Sequence, residues 1–280
     1  MTFSELFDET LDINSTGSYR LSVQAGYNGF SYCILDLSRN KYIMLRVWTP
    51  DENIRFNHEQ LKEIIEKDEF LSKQYSGISI VIPSAEFTLV PAPMYDPGRK
   101  DEYFAFNHGD PDGNVILSNR LVENNSFLLF AVPGHLSEVI RSHFPSAFPF
   151  HHICPLAGHM THAMKTGSGS YIHLHVESDF FNLAVYTSHA LQYLNAFSYR
   201  NASDIVYYVL NVFKTLGIKG EETIHLSGLT ERYDDLSSAL SLYVRHLEFA
   251  VPAGNFTFSY VFNDTPLHRY INLFSLLNCA

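Results

Sequence analysis

Three short stretches of this chain carry residue types that could act on a phosphate or a metal ion. Gly26, Asn28 and Gly29 stand between two strand-like runs, Leu21–Ala25 and Phe30–Leu35. A turn of this composition lets backbone amides approach and cradle a phosphate. It equally suits an ordinary hairpin, because Asn-Gly favours the positive φ angles of a type I′ turn, and the hairpin is the simpler reading. Glu177, Ser178 and Asp179 occupy a matching turn, between Ile172–Val176 and Phe180–Tyr186; Leu21 to Ile172 is a step of 151 residues. The two carboxylates could serve as metal ligands, although a solvated acidic turn is the simpler account. Ser227 and Gly228 follow a third run, Glu222–Leu226, where a strand turns into a helix. Such a turn needs a small residue whatever it binds.

Histidines form a second constellation. His151, His152, His159 and His162 fall within twelve positions, and His173 and His175 follow. The His159-x-x-His162 spacing puts two imidazoles on one helix face, as a pair of metal ligands would require. Tetrahedral zinc needs three or four ligands, and no neighbouring acidic residue or Cys completes the set. With 14 histidines in 280 residues, some clustering is expected. No Gly-x-Ser-x-Gly, Walker A or Gly-x-Gly-x-x-Gly motif occurs.

The elements that must position these residues follow from periodicity. Strands are expected near 20–26, 30–37 and 41–48. Asn57 caps a helix with Leu61, Ile64 and Ile65 on one face. Ile78-Ser79-Ile80-Val81-Ile82 suits a strand covered on both faces. Proline and glycine punctuate 91–114, which reads as part of a small insertion near 91–126. Strands follow at 127–132 and 148–153, with a helix between them from Pro133 and another over 155–165. Thr166-Gly167-Ser168-Gly169-Ser170 has the composition of a flexible boundary. The second half repeats the strand order. Asn201 or Ser203 caps a strong helix, which Gly217 ends. A helix near 233–244, a strand near 246–250 and a helix near 266–277 complete βββαβαβα. The division expected is a flexible arm at 1–18, a first unit at 19–166 and a second unit at 167–280.

Composition excludes several classes. Net charge is −11 and 46% of residues are hydrophobic, so the chain is folded and repels phosphate backbones; nucleic acid is not an expected partner. Three scattered cysteines without a CxxC argue against a disulfide framework. The start lacks the apolar core of a signal peptide, and no run reaches the roughly 18 apolar residues that span a bilayer. A cytoplasmic protein is expected.

The order βββαβαβα in both halves is that of the ribonuclease H-like unit, and its duplication resembles the actin-like ATPase superfamily. Val81-Ile82-Pro83-Ser84-Ala85-Glu86-Phe87-Thr88 and Ala131-Val132-Pro133-Gly134-His135-Leu136 resemble the pilus and secretion assembly ATPase-like proteins. The chain is similar, over roughly 19–280, to an uncharacterised Bacteroidetes family of that superfamily. The resemblance implies mixed sheets flanked by helices and a nucleotide cleft. Hydrolytic members carry Asp-x-Gly at the first hairpin and another at the start of the second half, where the aspartates hold the metal and attacking water. This chain has Gln24-Ala25-Gly26 and His175-Val176-Glu177 there, and a single glycine in Leu226-Ser227-Gly228-Leu229-Thr230 at the adenosine-side motif. Gly26, Asn28, Gly29, Glu177, Ser178, Asp179, Ser227 and Gly228 are therefore the candidates for a degenerate cleft. Nuclease chemistry is rejected, because Gln24 and His175 replace the carboxylates that hold two metals. Two readings stay open. One is a non-catalytic binding or scaffold protein with no cofactor and a protein partner. The other is a nucleotide-binding protein or ATPase using ATP and Mg with rearranged ligands. Homo-oligomerisation is open in both.

Overall fold

Alternation of apolar residues builds the first sheet. The computed structural model describes residues 1–51, 54–164, 170–187 and 190–279. Its first sheet contains β1 (Thr2–Phe7), β2 (Tyr19–Gly26), β3 (Gly29–Asp36), β4 (Lys41–Thr49), β5 (Gly77–Ile82) and β9 (Pro149–His151). The order is β1-β4-β3-β2-β5-β9, with β15 (Thr257–Phe258) added beside β4. β2–β5 and β5–β9 run parallel, while β1–β4, β3–β4 and β2–β3 are antiparallel. β3 is buried along its whole length, as its apolar sequence requires. Helix α1 (His58–Lys67) starts on a capping box between Asn57 and Gln60 and buries Leu61, Ile64 and Ile65.

A smaller sheet, ordered β6-β8-β7, consists of β6 (Phe87–Pro91), β7 (Asn114–Leu121) and β8 (Ser126–Pro133). Helix α2 (Lys100–His108) covers it through Phe104, which packs with Val90, Ile116, Leu129 and Ala131. The polar stretch in which only an irregular insertion was expected therefore contains a helix. Its apolar face is one buried residue wide, too little for a periodic signal. Helix α3 (Gly134–His143) follows β8, and α4 (Ile153–Met164) follows β9.

The second sheet has β10 (Ser170–Val176), β11 (Phe180–Thr187), β12 (Ala190–Ser198), β13 (Thr223–Gly228) and β14 (His246–Phe249). Its order, β12-β11-β10-β13-β14, matches β4-β3-β2-β5-β9, with antiparallel and parallel pairs in the same places. Helix α5 (Ala202–Leu216) opens on a reciprocal Asn201–Asp204 capping box and closes on left-handed Gly217. It buries Ile205, Val209, Val212 and Phe213 against Ile172, Leu174, Val176 and Leu226; α6 (Asp235–Leu240) adds Leu236 and Leu240. Each such side chain contributes about 1.5–3 kcal/mol on burial.

The chain forms two compact units. One contains Met1–Leu156, Gly254–Thr265 and Asn272–Ala280, the other Ala157–Ala253 and Pro266–Ile271. Of the expected flexible boundary, residues 166–169 lie outside the described residues. Two expectations are corrected. The loose arm contains β1, pinned by Phe3 on Trp48 with ring centroids 4.9 Å apart and by a Glu5–Arg46 ion pair. The long helix near 266–277 is instead a 3-10 turn followed by the short helix α7 (Ile271–Ser275) and another 3-10 turn. Aromatic packing decides this region. Phe258 and Phe274 close on Tyr42 with centroids 5.4 and 4.9 Å away, and the Tyr42 hydroxyl donates to the Phe274 carbonyl at 2.9 Å.

Candidate functional site

The parallel register of β10 and β13 assembles a buried polar chain. His173 stands beside His225, His175 beside Ser227, and Val176 beside Gly228. Alternation along β10 sends Ile172, Leu174 and Val176 into the core and the histidines to the opposite face. There the Ser227 hydroxyl lies 2.7 Å from His173 Nε2 and 2.8 Å from His175 Nδ1. His175 Nε2 lies 3.2 Å from Glu177 Oε1. Ser227 is 0% exposed, His173 and His175 1%, and Glu177 5%.

Proton counting orients the chain. In one consistent arrangement the Glu177 carboxylate accepts from His175 Nε2–H and His175 Nδ1 accepts from the Ser227 O–H. The Nε2–H of His173 then donates to Ser227 Oγ. Burial, reinforced by His159, His175 and His225, holds His173 well below the usual imidazole range. Burial also lowers His159 to about 4, with His225 and His162 adding to it. The His159 ring meets the Tyr171 hydroxyl at 3.4 Å, and Tyr171 stacks on His225 with centroids 4.2 Å apart.

Gly228 makes the strand end possible. Its φ is +82°, and a Cβ there would stand 2.1 Å from the Val176 carbonyl oxygen. The chain bends so that Leu229 N–H donates to that same oxygen at 2.7 Å.

The candidates at the acidic turn separate. Glu177 does not belong to a solvated turn: its side chain is buried on His175, its N–H donates to the Phe180 carbonyl at 2.9 Å, and its carbonyl accepts from Tyr199 at 2.6 Å. Ser178 and Asp179 are exposed. In the first unit, Gly26 pairs with Gly29 around the loop Tyr27-Asn28. The turn is not type I′, because Tyr27 and Asn28 are not among the residues with positive φ. The left-handed demand falls on Gly29, at φ +126°, where a Cβ would meet the Trp48 carbonyl oxygen at 2.2 Å. Trp48 on the neighbouring strand therefore dictates this glycine. Glu177, Ser227 and Gly228 thus meet in one unit, while Gly26, Asn28 and Gly29 form a hairpin in the other.

His173 and His175, expected only as members of a histidine cluster and, for His175, at the position of a family aspartate, join Ser227 and Glu177 here. The signal available was a polar face, His173 and His175, alternating with an apolar one on β10. Of the other histidines, His151 and His152 are fully buried, and His151 Nε2 bonds the Ser84 carbonyl at 3.0 Å. His159 is buried while His162 is exposed, so the pair does not share an environment. Among the described residues, no group of three or more His, Cys, Asp or Glu is arranged to hold a metal ion.

Two sheets that share a five-strand order, each with two parallel strands beyond an antiparallel meander, are features of an actin-like ATPase fold. A protein of actin-like ATPase fold and unknown function from Bacteroides thetaiotaomicron VPI-5482 is similar over 94% of this chain and 98% of its own, with 20% identity and a TM-score of 0.74. The PilM-PilN type IV pilus biogenesis complex matches over 93% of this chain and 97% of that chain, with 10% identity and a TM-score of 0.59. The chain belongs to the family described as protein of unknown function (DUF3822), which matches residues 8–247. No curated protein matches it in sequence. Among the described residues, no helix is long and apolar enough to cross a membrane.

Proposed function

We propose that this chain is a degenerate actin-like protein that binds or scaffolds other proteins and does not turn over nucleotide. One observation carries the reading. The position that corresponds to the second family aspartate is His175, whose two ring nitrogens are engaged by Ser227 and Glu177. The carboxylate nearest that position is thus committed to an imidazole. At the first hairpin the equivalent residue is the half-buried Gln24, which carries no charge to hold a cation. The likeness to a complex of PilM with PilN supports a protein partner for this chain as well. The matching sheet orders support a duplication, although the units divide near residue 156 and the first regains 254–265 and 272–280, so the expected bounds of 19–166 and 167–280 are not kept; three free cysteines support a reducing, cytoplasmic setting. The alternative is a nucleotide-binding protein or ATPase with rearranged ligands; the exposed Asp179 and the Gly228 turn favour it.

Thermal unfolding with and without ATP, ADP and Mg separates the two. A ligand at about a hundred times its Kd adds roughly 2.7 kcal/mol to stability. The expected result is no shift up to millimolar nucleotide and no Mg-ATP hydrolysis above background. Turnover that Glu177→Gln abolishes would overturn the proposal.

A further inference from the structure

The first sheet ends in the edge strand β1, against which the 3-10 turn Tyr260–Phe262 packs but which has no second strand partner among the described residues. β1 pairs only with β4, and among the described residues Thr2–Phe7 makes no other backbone–backbone hydrogen bond. An open edge is a template for another chain, and proteins usually blunt it with lysine, proline or a bulge. β1 has no lysine and no proline, and its register against β4 runs without a shift. It leaves Phe3 51% and Phe7 42% exposed. β12, an edge strand of the second sheet, exposes no large apolar side chain among the described residues.

An open hollow of about 520 Å³ has Glu5 and Phe7 of this strand in its lining. Phe7, Leu11 and Phe70 give it apolar walls, and Glu5, Asp12 and Glu69 surround its single cation, Arg46. Arg46 does not balance them. Its guanidinium already pairs with Glu5 and with Asp68 at 2.8 Å, and Glu69 stands 3.8 Å away. The cavity keeps a surplus of negative charge.

We propose that β1 and this cavity dock an extended segment of a partner protein, which adds as a strand along β1 and places a lysine or arginine in the cavity. Strand addition supplies main-chain bonds, and alternate side chains supply specificity. A long aliphatic stem suits the Phe7, Leu11 and Phe70 walls, and its cationic end suits the carboxylates. A second copy of the chain does not fit: residues 1–18 contain no lysine or arginine, and each copy carries a net charge of −11. This site belongs to the first unit and the His173–Glu177 chain to the second, and the proposal does not depend on whether nucleotide binds.

Trp48 is the only tryptophan of the chain and packs on Phe3, so its emission reads the site. The full chain is titrated with a capped hexapeptide of alternating lysine and valine, followed by Trp48 fluorescence and, in parallel, by calorimetry. Expected are saturable binding, a loss of about tenfold in affinity when glutamate replaces the peptide lysines, and a similar loss in the exposed-site variant Glu69→Lys. Backbone N-methylation of the peptide at alternate residues is expected to abolish binding in one phase and spare it in the other. No binding by either measurement, equal binding of both charge types, or equal tolerance of both methylation phases overturns the proposal. Self-association that buries β1 in sedimentation and protection experiments also overturns it.

Discussion

Ser227 has one hydroxyl proton and two imidazoles within 2.8 Å, so the tautomers of His173 and His175 are fixed together. Burial favours the neutral form of His173, and that has a pH signature. Burial holds His159 at about 4 and keeps His173 and His151 well below 6.5. Well above pH 6.5 neither the native nor the unfolded chain protonates these rings, and they leave stability unchanged. Below that value the unfolded chain takes up protons that the native chain refuses. Stability therefore falls as pH drops from 6.5 towards 4, by about 1.4 kcal/mol per pH unit for each ring once the unfolded form is charged. Urea midpoints are expected to decrease from pH 7 to pH 5; equal midpoints would contradict the buried neutral assignment. Little of this site was legible in the chain. His173 and His175 alternate visibly with Ile172, Leu174 and Val176. Their partner Ser227 lies 52 residues beyond His175, and a parallel register over that distance has no local signature.

At the scale of elements, the turn glycines differ in what holds them. Gly29→Ala places a Cβ 2.2 Å from the Trp48 carbonyl at φ +126°, whereas at Gly17 a Cβ meets nothing within 4 Å. Strained backbone of this kind costs about 1–3 kcal/mol per residue, and the clash adds to it. Gly29→Ala is expected to lower the urea midpoint clearly, and Gly17→Ala to leave it close to wild type. Which elements were legible follows the same physics. α5 has a capping box, a wide apolar face and a terminal glycine, all local, and it appears as expected. α2 offers one buried Phe104, and β1 is held by its pairing with β4 and by Phe3 on Trp48. Both are set by tertiary partners that their own sequences do not announce.

At the scale of the whole molecule, two sheets share one strand order but are completed differently. The second sheet draws all five strands from residues 170–249. The first takes β15 beside β4 and receives the aromatic cover of Phe258 and Phe274 on Tyr42. Phe274 is fully buried, so Phe274→Ala is expected to cost about 3–5 kcal/mol. Hydrogen exchange is expected to show the loss in β3 and β4 and to leave β10 and β11 protected; uniform loss would mean that the cluster does not belong to the first unit alone.

The return of the chain to Tyr42 also sets an order of events at the ribosome. Tyr42 and Phe274 are 232 residues apart, and synthesis runs at about 5–20 residues per second. The first sheet is thus translated early yet waits more than ten seconds for its last cover, while the second sheet emerges with every strand in hand. The second unit waits as well, for residues 266–271, so the cover of both units is completed only as the stretch 266–280 emerges.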